Sequence, residues 1–233
     1  MLDINKNFSL HPEHMKDCEF CTEITSPNHS RFHKIYNSKI DSRILYKHDG
    51  FAVMPTIGQL FKGSMLILPN EHYQTMAEIP VEMKNTLITI IKDIDVLLST
   101  LGIPILFEHG AKCSTGSGCG IYHAHIHIVP VPSSISYKDV ISTEAEIVRD
   151  LLDALQKLTF SDNYLIFRDT AGEIALIQPS VLERTKYPSQ YFRKKITEHF
   201  QLDIPWNWRE YKETETLLTE TIDLFKGAYV SIG

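Results

Sequence analysis

The chain has 233 residues, 43% of them hydrophobic and 22% charged, with a formal net charge of −6. That length can bury a full core as one domain with an extension or as two small ones. The acidic balance argues against a broad basic surface for nucleic-acid backbone, though it leaves room for a local patch. No uncharged apolar window of about 18 residues is present, so no membrane-spanning helix is expected, and four cysteines do not make a disulfide framework.

Residues 1–35 are polar and carry Cys18-Glu19-Phe20-Cys21, with Pro27, Asn28 and Ser30 marking a loop. The opening MLDINKNFSLHPEH lacks the positive, apolar and small-residue order of a secretory signal, so a cytoplasmic location is expected. ILYK (44–47) and FAVM (51–54) flank His48-Asp49-Gly50 and read as a hairpin, Asp-Gly being a strong turn signal. After Gly58 and Gly63 comes MLIL (65–68), a buried strand stopped by Pro69. Met83, Leu87, Ile90, Ile91, Ile94, Leu97, Leu98 and Leu101 repeat at helical spacing, and Gly102 is placed to end that helix. PILF (104–107) returns to strand. A Gly/Ser-rich loop, HGAKCSTGSGCG (109–120), then leads into IYHAHIHIVPV (121–131), read as a strand that ends at Pro130 and Pro132.

Beyond Pro132 a second block begins. Thr143 and Glu146 form a capping-box pattern ahead of Ile147, Val148, Leu151, Leu152 and Leu155, which predicts a helix. YLIF (164–167) and EIALI (173–177) flank Asp169–Gly172 as another hairpin. Pro188 suits the first turn of a helix whose Phe192, Ile196 and Phe200 face inward. The expected architecture is α+β: a sheet of about five mainly antiparallel strands with a long helix packed on it. Residues 1–135 form the main domain on this reading, and residues 136–233 a C-terminal α/β extension of helix, hairpin and helices.

His123, His125 and His127 stand at alternating positions, so on a strand their imidazoles share one face while Ala124, Ile126 and Ile128 share the other. Chance placement of the 11 histidines would give only ~0.02 such runs, which favours a chemical purpose over coincidence. Three imidazoles on one face offer nucleophiles, proton carriers or metal ligands. The four glycines at 110, 116, 118 and 120 let backbone N–H groups turn toward one point, a cradle for phosphate oxygens to which Ser114, Thr115 and Ser117 add hydroxyls. The paired thiols of Cys18 and Cys21 are spaced for zinc, which needs two further ligands from the remaining histidines and cysteines.

The run His123-Ala124-His125-Ile126-His127-Ile128-Val129 is similar to the signature of the histidine triad family, with every apolar position filled. The resemblance covers roughly residues 18–132 and implies the fold of that family. It also implies nucleotidyl transfer through a phosphorylated histidine, with His125 attacking the α-phosphorus of a nucleotide ester, anhydride or phosphoramidate. His127 would then bond a phosphoryl oxygen or the leaving group, and Ser117, Gly118 and Gly120 would hold the phosphate. A zinc-containing branch of the superfamily, to which galactose-1-phosphate uridylyltransferase belongs, implies a structural zinc held by Cys18, Cys21, His72 and His123. Two free thiols, or an all-cysteine site completed by Cys113 and Cys119, are the other arrangements.

Several positions depart from the family pattern. Thr56 stands near where an acidic residue holds the ribose, Glu108 where an asparagine meets phosphate, and Cys119-Gly120 where Gln-Ser or Gln-Thr precedes the triad. A carboxylate at Glu108 repels phosphate unless it is protonated or turned aside. His127 in place of the uridylyltransferase branch's glutamine tilts the reading toward hydrolysis. The expected protein is thus a nucleotide phosphohydrolase acting through a covalent nucleotidyl-histidine. A nucleotidyltransferase on the same scaffold, a hydrolase with an open zinc on His123 and His125, and a non-catalytic nucleotide-binding adaptor are the rivals. The expected partner is a nucleotide or nucleotide conjugate, with no membrane and no extended nucleic-acid surface, and a homodimer is allowed for. In the C-terminal block, Ser189, Gln190 and Arg193, followed by Lys194 and Lys195, read as a phosphate clamp or a solvated basic face. Trp206 and Trp208 suit either base stacking or pinning of the tail.

Overall fold

A computed structural model describes residues 18–36, 40–112, 120–141, 144–159, 161, 163–179, 186–210 and 215–229. Two short helices open the described chain, α1 (Glu19–Thr25) and α2 (Arg31–Tyr36). Strands β1 (Tyr46–His48), β2 (Phe51–Pro55) and β3 (Met65–Pro69) follow. The β1–β2 turn is carried by Asp49 at φ 51° and Gly50 at φ 82°, the two left-handed residues that a tight hairpin twist requires. Next come the long helix α3 (Val81–Leu98), β4 (Ile103–Ala111) and β5 (Ile126–Val131).

The remaining elements are α4 (Tyr137–Val140), β6 (Glu146–Val148), α5 (Leu151–Lys157), β7 (Asn163–Arg168), β8 (Ile174–Ile177), α6 (Tyr191–His199) and α7 (Glu215–Tyr229). Among the described residues, eight strands form one sheet in the order β1-β2-β3-β5-β4-β7-β8-β6, and every neighbouring pair is antiparallel. The five expected strands are β1–β5. Residues beyond 135 add three more to the same sheet, because the nine-residue β4 would otherwise leave an open edge. β7 covers that edge from Leu106↔Arg168 to Ala111↔Asn163. Within this ladder Gly110 lies under the Tyr164 ring, and a Cβ there would sit 2.3 Å from Cζ, so only glycine fits.

The apolar alternation sends each strand's side chains to two cores. Phe51, Val53, Ile67, Ile126 and Ile128 pack with Leu87, Ile91 and Ile94 of α3 on one face. Ile105, Phe107, Val129, Leu165 and Phe167 pack with Phe192 and Ile196 of α6 on the other. On this second face α1 also packs, through Phe20 and Ile24 against Ala52, Met54 and Leu66. A gap is left between α1 and α6, over the middle of the sheet.

Two elements differ from the sequence reading. Residues 146–148 are strand, not helix: β-branched Ile147 and Val148 pair with β8. The helix starts later, at Leu151, where the Asp150 carboxylate accepts the Asp153 N–H at 2.8 Å, and Thr143 lies outside the described residues. The triad strand also starts late, at Ile126 rather than Ile121. Upstream, the Ala124 N–H donates to the Tyr73 carbonyl at 2.7 Å, which draws the chain out of the ladder toward the segment after β3. Among the described residues no helix is long and apolar enough to cross a membrane.

Candidate active site

Four ligand-bearing side chains meet beside α1. The donor atoms of Cys18, Cys21, His72 and His123 all lie within 4.8 Å of one another. Cys18 caps α1, its sulfur accepting the Cys21 N–H at 3.4 Å, so the helix start presents both thiols to the same point. His72 comes from the turn after β3 and His123 from the segment before β5. His123 Nε2 lies 2.9 Å from the Pro69 carbonyl. A carbonyl only accepts, so Nε2 carries the proton and the Nδ1 lone pair points at the sulfurs.

The spacing tests whether a metal fits. Tetrahedral bonds of ~2.3 Å to sulfur and ~2.0 Å to nitrogen put ligands roughly 3.6 Å apart. The sulfur–nitrogen separations are 3.2 Å for Cys21–His72, 3.4 Å for Cys18–His123 and 3.5 Å for Cys21–His123. Hydrogen bonding from Cys21 holds the Cys18 thiol well below its ordinary pKa. Hydrogen bonding to Cys18, then burial and the Cys18 charge, oppose ionisation of Cys21. A bound dication relieves that conflict by stabilising both thiolates, so the donor set suits a metal ion.

The same segment builds a pocket in the gap between α1 and α6. His125 and His127 line it together with Phe20, Phe107, His109 and Leu66. His125 Nδ1 is 2.6 Å from the His123 carbonyl, so Nδ1 must donate, and Nε2 keeps its lone pair. The ring is braced edge-on by Phe20, with centroids 5.3 Å apart. His127 stacks on Phe107 at 4.5 Å, and its ring lies 5.3 Å from that of His125. This is closer than the ~7 Å of an uninterrupted strand, because His125 precedes the ladder. Burial pushes the His125 imidazole down to about 4. His127 is also pushed well below its ordinary value, by burial first, then by His125 and Arg193.

The sequence-predicted residues divide as follows. Gly120 lines the pocket, whereas Ser117, Gly118, Cys113 and Cys119 lie outside the described residues. Thr56, Ser189, Gln190, Arg193 and Trp208 line it too. Lys194 and Lys195 instead pair with Glu198 at the surface. Two residues were not legible as site residues. His109 follows Phe107 by two on β4, so the strand's own alternation aims it into the pocket; reading the strand as ending at 107 hid this. Its imidazole is held down to about 4 by burial and by His125. Glu23 lies on the pocket floor, its carboxylate gripped by Arg43 Nε at 2.7 Å and Nη2 at 2.8 Å.

Glu108, between Phe107 and His109, is turned to the opposite face. Its Oε1 accepts the Met76 N–H at 2.9 Å, away from any phosphate in the pocket. Complete burial pushes its carboxyl up to about 8, so it is protonated near neutrality. Folded Glu108 therefore keeps a proton that the unfolded chain loses above its ordinary value of 4.5. Its contribution to stability falls as pH rises from 4.5 to 8, by up to ~1.4 kcal/mol per unit. The buried imidazoles of His109 and His127 act oppositely, costing stability as pH falls below 6.5. Glu108→Gln is expected to flatten the Tm-against-pH curve between pH 6 and 9 and to melt higher than the parent at pH 9. Parallel curves for the two proteins would show that Glu108 is not buried in its neutral form.

No protein-family model matches the chain. The chain is 25% identical over 118 residues to an uncharacterized HIT-like protein of Borreliella burgdorferi, covering 50% of this chain and 76% of that one. It is 29% identical over 102 residues to an uncharacterized HIT-like protein of Methanocaldococcus jannaschii, covering 42% and 76%. Among solved structures, a Zn-bound histidine triad family protein from Mycobacterium smegmatis aligns over 50% of this chain and 76% of its own, at 16% identity and a TM-score of 0.35.

Proposed function

We propose that this chain, a member of the histidine triad-like (HIT-like) family, is a nucleotide phosphohydrolase acting at an α-phosphate. The observation that carries this reading is the 2.6 Å contact from His125 Nδ1 to the His123 carbonyl. It fixes one tautomer and leaves Nε2 as a free nucleophile on a residue that lines the pocket. Nε2 attacks the α-phosphorus and the bond to the leaving group breaks with its electron pair. The ring, now bonded to phosphorus, keeps its Nδ1 proton on the carbonyl. Water then attacks the same phosphorus, the Nε2–P bond breaks with its electron pair returning to the ring, and a nucleoside monophosphate and one proton are released to solvent. His127 hydrogen-bonds a phosphoryl oxygen or the leaving group, and the backbone around Gly120, with Ser117 and Gly118, completes the phosphate cradle.

We assign zinc to the Cys18, Cys21, His72 and His123 cluster. When bound there, zinc supplies structural cross-linking, since four protein ligands leave no open position for substrate. His123 links the two centres: its Nδ1 faces the Cys18 and Cys21 sulfurs, where it would help hold a metal, while its carbonyl orients His125.

The test is product analysis in ¹⁸O-water with a nucleoside phosphoramidate and a nucleoside phosphoanhydride. Hydrolysis at the α-phosphorus puts one ¹⁸O into the monophosphate. Transfer to added phosphate or sugar phosphate, without label, would instead assign a nucleotidyltransferase. Tight nucleotide binding with no turnover would assign an adaptor.

A further inference from the structure

The pocket has a second wall, built from the segment around α6, beyond the triad domain. Gly120, next to the triad, is flanked on this side: a Cβ there would lie 3.1 Å from Ser189 Oγ and 3.4 Å from Arg209 Nη2. The Ser189 hydroxyl is buried with no hydrogen-bond partner among the described residues and lines the pocket. Arg193, from α6, donates to the Gly58 carbonyl at 2.6 Å and the Trp206 carbonyl at 2.9 Å, and its charge is felt at His127.

The wall is braced rather than loosely draped. Gln190 accepts the Trp208 N–H at 3.1 Å and donates to Asn207 at 2.9 Å. Gly58 leaves room for nothing larger, since a Cβ would approach Trp208 Cβ to 2.9 Å. Guanidinium groups of Arg31 and Arg209 lie 5.0 and 4.7 Å from the Trp208 ring. The indole is therefore engaged by cations and pins the tail, which argues against its stacking on a base. Arg31 also meets Glu19 at 4.0 Å. No carboxylate among the described residues pairs with Arg209, and its neighbour Glu210 is engaged by Asn207 at 2.7 Å. Of these arginines, Arg31 and Arg193 line the pocket itself, and Arg209 adjoins it through its lining residues Gly120 and Trp208, in a chain of net charge −6.

We propose that Ser189, Arg193 and Arg209 form a leaving-group subsite for phosphate, so that the preferred substrates are nucleoside phosphoanhydrides. This rests on the hydrolase reading above. When His125 Nε2 bonds to the α-phosphorus, the bridging P–O bond breaks and its electron pair stays on the departing phosphate oxygen. That product is a stable anion and needs a cation, which arginine supplies. An alkoxide or amide leaving group needs a proton, which arginine does not give up near neutral pH. His127, neutral in its buried setting, is a weak proton donor there. The wall therefore discriminates by charge and proton demand, not by shape alone.

The subsite is tested by calorimetric titration of inorganic pyrophosphate into the full-length protein and into Arg209→Gln, Ser189→Ala and Arg209→Lys. Arg209→Gln and Ser189→Ala are expected to weaken binding about tenfold and about threefold, with Arg209→Lys close to the parent and all melting within a few degrees of it. The ratio of kcat/KM for a nucleoside phosphoanhydride over the matching phosphoramidate is expected to fall about tenfold in Arg209→Gln. Nucleoside triphosphates and dinucleoside polyphosphates share the required chemistry, and their relative kcat/KM shows which the wall accepts. Pyrophosphate binding that is absent, or equal in parent and Arg209→Gln, overturns the subsite, as does an equal fall for both substrates. If the parent turns over neither substrate, the hydrolase reading fails, and the titration alone decides the subsite.

Discussion

His125→Asn is expected to fold as the parent does and to lose turnover by roughly 10³-fold or more, the scale of losing a covalent route. The asparagine amide can still donate to the His123 carbonyl, so the local hydrogen bond that orders this segment survives. What disappears is the ring nitrogen that attacks. The Phe20 contact is lost with the ring, at the modest cost of one aromatic pair. Thermal melting within a few degrees of the parent, together with steady-state rates on one substrate, separates the catalytic effect from a folding effect. A variant that keeps most of its rate would remove His125 from the nucleophile's role.

The second large effect is expected at the metal cluster. Cys18→Ser should reduce bound zinc from about one per chain to a small fraction and lower Tm by about 10 °C or more. The reason lies in what the cluster ties together. Cys18 and Cys21 fix α1, His72 fixes the turn after β3, and His123 fixes the start of the triad. Without a cation, two thiols and two imidazoles crowd a buried volume with incompatible charge demands. Elemental analysis and melting with and without a chelator read this directly. Chelation should lower the Tm of the parent and leave Cys18→Ser unchanged. No metal in the parent, or an unchanged Tm in the variant, would take the cluster out of the account.

Local signals in the sequence were enough to place the hairpins. Asp49-Gly50 encodes the left-handed turn between β1 and β2, and Asp169–Gly172, in which only Gly172 is left-handed, separates β7 from β8. The heptad-like spacing of Leu87, Ile91, Ile94 and Leu98 is local too, and so is α3. The pairing of β4 with β7 is not local. Nothing near Leu106 indicates that Arg168 will lie opposite, so the continuity of the sheet past residue 135 was invisible. The start of β5 was misplaced because the Tyr73 carbonyl, some fifty residues away, takes the Ala124 N–H.

The site follows the same division. Alternating histidines and the Cys-x-x-Cys spacing name Cys18, Cys21, His123, His125 and His127 without help from tertiary structure. His72 required the family resemblance, because a lone histidine after a strand has no distinguishing spacing. The wall formed by Ser189, Arg193 and Trp208 depends on where α6 docks, and that is set by Phe192 and Ile196 packing on Phe107 and Phe167 across the sheet.

The account turns on whether a nucleotide becomes bonded to one histidine. Intact-mass spectrometry after millisecond mixing with a nucleoside phosphoanhydride and quenching in alkaline denaturant, in which a histidine P–N bond survives, answers this. The parent is expected to gain the mass of one nucleotidyl group, mapped by peptide sequencing to His125 and absent from His125→Asn. Rapid turnover with no adduct at any quench time, or an adduct that persists in His125→Asn, would contradict it.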